Sequence, residues 1–267
     1  MFDKQMLKEQ LKAMGAPQNG VVLVHTSLRA VGAVEGGGQA VLDALVEWFT
    51  ADGGLLCIPT HTWKNLGTPE KLTLDLLSTE TCIGTLPSIA AGDPRGVRTA
   101  HPTHSMVVFG DEVRVREFIA DEETRITPGD PRGCYGKLYT WGGHVLLLGV
   151  GHDKNTYLHS VEEMLDVPNR LSKAPRAVTV RHKTGEIEHR FTHSHSAEGI
   201  RDVSAHYPKY EPAFRHHGAI RDGVFGNART QLCDARRMHD VLALVRARSQ
   251  GAELLSDLEP LDERLYL

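Results

Sequence analysis

The stretch HVLLLGVGHDKNTYLHSVEEML, His144–Leu165, decides the fold. A short apolar run stops at Gly149-Val150-Gly151 and a helical pattern begins soon after, so it reads as strand, tight turn and helix. Asp153, His159, Glu162 and Glu163 fall just past the strand. In open α/β sheets ligands bind outside the carboxyl ends of strands, which makes this the first place to look for chemistry. With Thr156 as cap, His159 lies in the first helical turn, where the helix dipole favours a neutral imidazole, and a neutral imidazole is a base. Glu162 and Glu163 follow one turn on, so that one of them flanks His159 and orients its ring. Asp153 adds a second carboxylate facing the same cleft. The alternative is an exposed helix on which Glu and His merely pair.

Working outward, GVVLVHTSL (Gly20–Leu28), GGLLCIPTHTW (Gly53–Trp63) and the end of HPTHSMVVFG (His101–Gly110) read as further core strands. Helical spacing marks MFDKQMLKEQLKAMG through Met6, Leu7, Leu11 and Met14, and GGGQAVLDALVEWFT through Val41, Leu42, Leu45, Val46 and Phe49. TLPSIAAG is a further helix, DEVRVREFIADEE an exposed one, and Gly67–Thr81 an irregular Thr/Ser-rich stretch. After Pro168, PRAVTVRHKTGEIEHRFT reads as a hairpin turning at Thr184-Gly185 and extending the sheet antiparallel at about 175–230, before a closing helix from about Cys233 to Arg248. Strands alternating with helices imply a layered α/β fold with a mixed sheet, here assigned to one domain over 1–267.

Composition excludes several classes. Charged residues at 24% and a net charge of −4, without a basic block, give nucleic acid nothing to bind. No apolar run approaches the roughly 20 residues needed to span a bilayer, and the charged N-terminus lacks a signal peptide's apolar stretch. Cys57, Cys82, Cys134 and Cys233 are scattered without C-x-x-C pairs, as expected of reduced thiols in a cytoplasm. A homodimer is among the assemblies the sequence allows.

Three other segments offer chemistry. VHTSLRAVGAVEGGG (Val24–Gly38) puts three glycines before a helix, leaving backbone N–H groups for a phosphate, although it matches neither nucleotide-binding glycine motif and also reads as a plain flexible turn capped by Ser27. In HPTHSMVVFG, His104 and Ser105 sit where a strand begins and can donate hydrogen bonds into a cleft. Pro102 keeps His101 and His104 off one helical face, which weakens a metal reading. The histidine-rich FTHSHSAEG and FRHHGAIRDG supply His193, His195, His216 and His217, read as solvated surface residues in preference to zinc ligands.

Taken in order, VHTSLRAVG, HPTHSMVVFG, LLLGVGHDKNTYLHSVEE and GNARTQLCDARRMHD resemble the antibiotic N-acetyltransferase family, the group named for aminoglycoside 3-N-acetyltransferases. The resemblance runs from about Asp3 to Arg248. It implies a layered α/β/α fold with a central mixed β-sheet, distinct from the GNAT fold, and transfer of acetyl from acetyl-coenzyme A to an amine without a metal. It implies that His159 takes the amine proton, that Glu162 holds and polarises the imidazole, and that Asp153 faces the acceptor. Ser27, Leu28, Arg29 and Val31 match a segment lining the coenzyme A site, and His104 with Ser105 a second coenzyme-contacting turn. A backbone N–H near Ser27 or the Ser105 hydroxyl would meet the oxyanion. The expected acceptor is the 3-amino group of a 2-deoxystreptamine aminoglycoside, for which the resemblance places Asp153; Glu162 or Glu163 could join it, and Asp121, Glu122 and Glu123 on a predicted helix are candidate rim residues. Gly133-Cys134-Tyr135 replaces a Gly-Ser-Pro turn, and LDLLSTETCIG (Leu74–Gly84) lacks the usual proline-containing acceptor loop. Three rivals stand beside this reading: an acetyltransferase for a different small amine, a zinc hydrolase built on His101, His104, His193 and His195, and a coenzyme-binding module without an acceptor pocket.

Overall fold

Val21, Val22, Leu23 and Val24 are all buried, so the strand they form must be covered on both faces. The computed structural model describes residues 1–67, 74–196, 198–200, 202–252 and 260–267; residues 68–73 of the irregular stretch and 197 of FTHSHSAEG lie outside it. Ten strands are described: β1 (Val21–Thr26), β2 (Leu55–Pro59), β3 (Leu74–Asp75), β4 (Val97–Arg98), β5 (Met106–Phe109), β6 (His144–Leu148), β7 (Arg176–Arg181), β8 (Ile187–Thr192), β9 (Ile220–Phe225) and β10 (Ala228–Asp234). The helices are α1 (Lys4–Ala13), α2 (Leu28–Val31), α3 (Gly37–Phe49), α4 (Thr85–Gly92), α5 (Glu112–Ile119), α6 (Cys134–Thr140), α7 (Tyr157–Met164), α8 (Glu211–His216) and α9 (Ala235–Arg248).

Seven strands form one mixed sheet in the order β4-β5-β2-β1-β6-β10-β9. Strand β1 runs parallel to β2 and β6, and the remaining pairings are antiparallel. Alternate side chains divide the core. Val22, Val24, Leu146 and Leu148 pack with residues of α1, α3 and α4, while Val21, Leu23, Val145 and Leu147 pack with residues of α5 through α9. The result is a three-layer α/β/α sandwich.

Helix α1 buries Leu7 and Leu11, with Met14 just beyond its end, whereas Met6 falls off that stripe and is exposed. Asp3, Asp111 and Asp234 cap α1, α5 and α9 by accepting backbone N–H groups. Helix α5 is not simply exposed, since Val115 and Phe118 are buried beneath it. The hairpin β7–β8 turns where Thr184-Gly185 lies, but it does not extend the central sheet. Instead β7 accepts β3 as a parallel partner, giving a separate three-stranded sheet. Strands β9 and β10 form the antiparallel edge. No helix among the described residues is long and apolar enough to cross a membrane.

Gly149 explains the glycine that ends β6. Its φ is +66°, and a Cβ there would lie 2.3 Å from the Ala30 Cβ, so glycine lets α2 close over the strand end. Gly149→Ala is expected to lower unfolding free energy by roughly 2 kcal/mol or more. Gly185→Ala, at φ +88° with open space around it, should cost only about 1 kcal/mol. Denaturant midpoints at unchanged m-value test the contrast.

Candidate active site

The carboxyl ends of β1, β2 and β6 open into a cavity of about 950 Å³. His25 and Thr26 end β1, His61 follows β2, and Asp153, Thr156 and His159 follow β6; all line it. This is the position that parallel strand ends give a ligand site.

His159 lies in the first turn of α7, as its spacing from the strand requires. Thr156 does not cap that helix with its side chain. Its N–H is donated instead to His25 Nε2 at 3.4 Å. Burial pushes the His25 imidazole down to about 3, so this ring stays a neutral acceptor.

Glu162 orients His159 through an intermediary. The carboxylate Oε2 stands 3.7 Å from His159 Nδ1, beyond hydrogen-bond range, and the Tyr207 hydroxyl fills the gap. Tyr207 Oη is 2.7 Å from His159 Nδ1 and donates to Glu162 Oε2 at 2.7 Å. A hydroxyl has one proton; given to the carboxylate, it leaves the oxygen to accept from Nδ1–H. The lone pair of His159 is thereby left on Nε2. Arg170 Nε donates to the other Glu162 oxygen at 2.7 Å. Burial alone would raise the Glu162 carboxyl, but the nearby His159 ring, the Arg170 charge and the Tyr207 hydrogen bond hold it below its ordinary range. Glu163 points elsewhere, accepting from Thr127 Oγ1 at 2.6 Å and Gly129 N–H at 2.8 Å.

His195 belongs to the site and not to the solvated surface expected for it. Its ring stacks on His159 with centroids 3.8 Å apart and planes within 18°. His104 meets it edge-on at 5.1 Å, and His61 lies 4.4 Å from His104. Burial pushes the His61, His104 and His195 rings well below their usual range. His61 Nε2 is hydrogen-bonded to Tyr135 Oη at 2.7 Å, so the Gly-Cys-Tyr turn supports the cavity floor. His61 also carries the LDLLSTETCIG segment, its carbonyl accepting from Thr81 Oγ1 and Cys82 N–H. His216 and His217 are exposed, and His193 Nδ1 bonds the Ser172 carbonyl at 2.7 Å. Among the described residues no group of three or more His, Cys, Asp or Glu side chains is arranged to hold a metal ion.

The other expected site residues are placed unevenly. Asp153 and His104 line the cavity. Asp153 is half-exposed and pairs with Lys154 at 2.9 Å. Ser105 is fully buried and donates to the Thr60 carbonyl at 2.9 Å, so its hydroxyl is spent inside the fold. Ser27 caps α2 through Ala30 N–H, and its own N–H is donated to the Leu148 carbonyl at 2.9 Å. Leu28 packs on the core, Arg29 is exposed, and Val31 is fully buried as a core side chain. Glu122 is no rim residue: it is buried after α5 on a 3-10 turn with Glu123, accepting the Cys134 N–H at 2.7 Å to cap α6. Asp121 precedes that turn, exposed, with φ +63°. Tyr207, Arg170 and Asp202 are residues of this region that no local motif announced, whereas the His-x-His of FTHSHSAEG did single out His195.

A family model described as aminoglycoside 3-N-acetyltransferase matches residues 23–245. Aminoglycoside N(3)-acetyltransferase VIII of Streptomyces fradiae is 30% identical over 61% of this chain and 62% of its own length. Aminoglycoside N(3)-acetyltransferase VII of Streptomyces paromomycinus is 30% identical over 88% of each chain. The chain thus spans less than two thirds of the first relative and most of the second. The fold is shared with aminoglycoside acetyltransferase AAC(3)-IVa in complex with a gentamicin (TM-score 0.77, 23% identity, 100% of this chain and 98% of that one). It is also shared with AAC-IIIb bound to CoASH (TM-score 0.75, 22% identity, 92% and 97%).

Glu163 gives the site a pH signature. Burial pushes its carboxyl up to about 7, against the hydrogen bonds from Thr127 and Gly129. The folded protein therefore holds this proton more tightly than the unfolded chain, and stability present below the ordinary carboxyl range is lost as pH rises towards 7. Glu163→Gln is expected to remove about 1–3 kcal/mol of the fall in stability between about pH 5 and about pH 8. Denaturant titrations at the two pH values measure it.

Proposed function

The chain belongs to the aminoglycoside 3-N-acetyltransferase family, and we propose that it transfers acetyl from acetyl-coenzyme A directly to the 3-amino group of a 2-deoxystreptamine aminoglycoside, with His159 as general base. The observation carrying this reading is the Tyr207 hydroxyl between His159 Nδ1 and Glu162, which leaves Nε2 as the proton acceptor at the cavity. An amine with a reference pKa of about 10 is mostly protonated near neutrality, so nitrogen cannot attack until a base takes a proton. Solvent takes that first proton; His159 Nε2 takes the second from the neutral amine as its lone pair attacks the thioester carbonyl carbon, so that the amide nitrogen is left uncharged. The imidazolium so formed is balanced through Tyr207 by the Glu162 carboxylate, whose charge Arg170 shares. Collapse of the tetrahedral oxyanion expels the coenzyme thiolate, which recovers the proton from His159. No enzyme acyl group forms.

The oxyanion needs a donor on the wall. With the Ser105 hydroxyl and Ser27 N–H spent, Thr26 is suited to the task, since it lines the cavity with a shielded hydroxyl that lacks a hydrogen-bond partner. Asp153 and Asp202 offer carboxylates to a polycationic acceptor, while Lys64, Lys154 and Arg176 suit the coenzyme phosphates. Glu162 and Glu163 take no part in holding the acceptor, being committed to Arg170, Tyr207, Thr127 and Gly129.

His159→Ala is expected to cut kcat by about 100-fold or more with acetyl-coenzyme A affinity nearly unchanged, and Tyr207→Phe by roughly 10-fold. Near-normal turnover by folded His159→Ala protein would remove the general base. Asp153→Asn should raise KM for a polycationic acceptor more than for acetyl-coenzyme A, most clearly at low salt where attraction is least screened. Mass spectrometry of gentamicin- and neomycin-class mixtures after incubation with acetyl-coenzyme A tests the acceptor. Acetylation of a simple amine without any aminoglycoside adduct would keep the transferase and discard the antibiotic.

A further inference from the structure

His195 follows the end of β8, held where an isolated bridge pairs it with Leu171. The same two segments are laced together by Ser194 N–H to Ser172 Oγ at 3.1 Å and Ser196 N–H to the Arg170 carbonyl at 3.1 Å. Arg170 in turn holds Glu162. One short piece of chain thus fixes both the ring on the face of His159 and the cation behind its carboxylate. The stack is near-parallel, and His104 packs perpendicular to His195 with centroids 5.1 Å apart, leaving the ring little freedom to tilt. Its Nε2 is shielded and has no hydrogen-bond partner, so packing and not a polar bond accounts for its position.

We propose that His195 is a positioning residue for the proton transfer: its neutral ring fixes the plane of His159 and, through its π-face, favours the imidazolium over the neutral base. The inference rests on His159 being the general base. The groups around the pair are His61, His101 and His104 on the coenzyme-turn side, with Tyr207, Glu162 and Arg170 behind His159. Glu162 and Arg170 are hydrogen-bonded to each other, and the three histidines are neutral through burial. No unpaired cation among these groups opposes charge on His159. A neutral aromatic face attracts a cation, and a fixed ring plane keeps Nε2 aimed at one place.

The test compares His195→Ala, His195→Phe and His159→Ala, each verified as folded by thermal melting. His195→Ala is expected to lower kcat roughly 10-fold, leave KM for acetyl-coenzyme A within about 2-fold, and move the acid limb of kcat/KM to lower pH. His195→Phe, which restores a face but no titratable nitrogen, should recover most of kcat and return the limb towards its original place. Unchanged kcat in His195→Ala, or a loss that Phe does not repair with the limb unmoved, overturns the proposal. If His195→Ala does not fold, His195→Phe alone decides: a loss of kcat as large as that of His159→Ala would refute a stacking role. Turnover retained by His159→Ala would show that the general-base reading itself has failed, whatever His195 does.

Discussion

A carboxylate only 2% exposed, Glu162, organises the site. Taking an ion out of water costs several kcal/mol unless its lone pairs are used and its charge is met. Arg170 and Tyr207 meet those needs from outside α7. Each must be held by its own piece of chain. The segment with Arg170 is bridged to the one with Ser194 and Ser196, and Tyr207 lies on a 3-10 helix leading into α8. Layers remote from the strand ends are thereby committed to one buried charge, and that charge decides which nitrogen of His159 carries a proton.

Much of the scaffold was legible because it is local. The unbroken Val21–Val24 run reads as a two-sided parallel strand, and Leu7, Leu11, Val41, Leu42 and Leu45 follow the helical period that buries them. His159 was legible for the same reason, as strand, turn and helix occur in one continuous stretch. Its partner Tyr207 stands 48 residues away and could not be read, since no periodicity links the two positions. His195 presented the opposite difficulty. His-x-His beside a hairpin looks the same whether solvent or another imidazole covers it, and only the Leu171 bridge turns the ring inward.

One acidic residue departs from its reading. Asp121, Glu122 and Glu123 read as candidate rim residues on a predicted helix, and Asp121 and Glu123 are exposed. Glu122 was instead drawn under the surface by the unsatisfied N–H at the start of α6, a demand that appears only once the chain has folded back. Ser105 and Ser27 show the same competition for hydroxyls and amides. Both sit near the cavity, yet the backbone claims them first.

The hairpin β7–β8 begins with Arg176 on the cavity wall and is followed by His195 on the same wall, while its turn carries only solvent-facing chain and a glycine with open space around it. Its two roots are therefore bound to the chemistry and its tip is not. Length can be added at Thr184-Gly185 with little change to the separation of the roots, because antiparallel pairing sets that separation along the whole ribbon. Such a ribbon is a graft point: evolution or an engineer can hang a new recognition loop on it, and the added segment will project beyond the enzyme while the cavity wall beneath keeps its geometry.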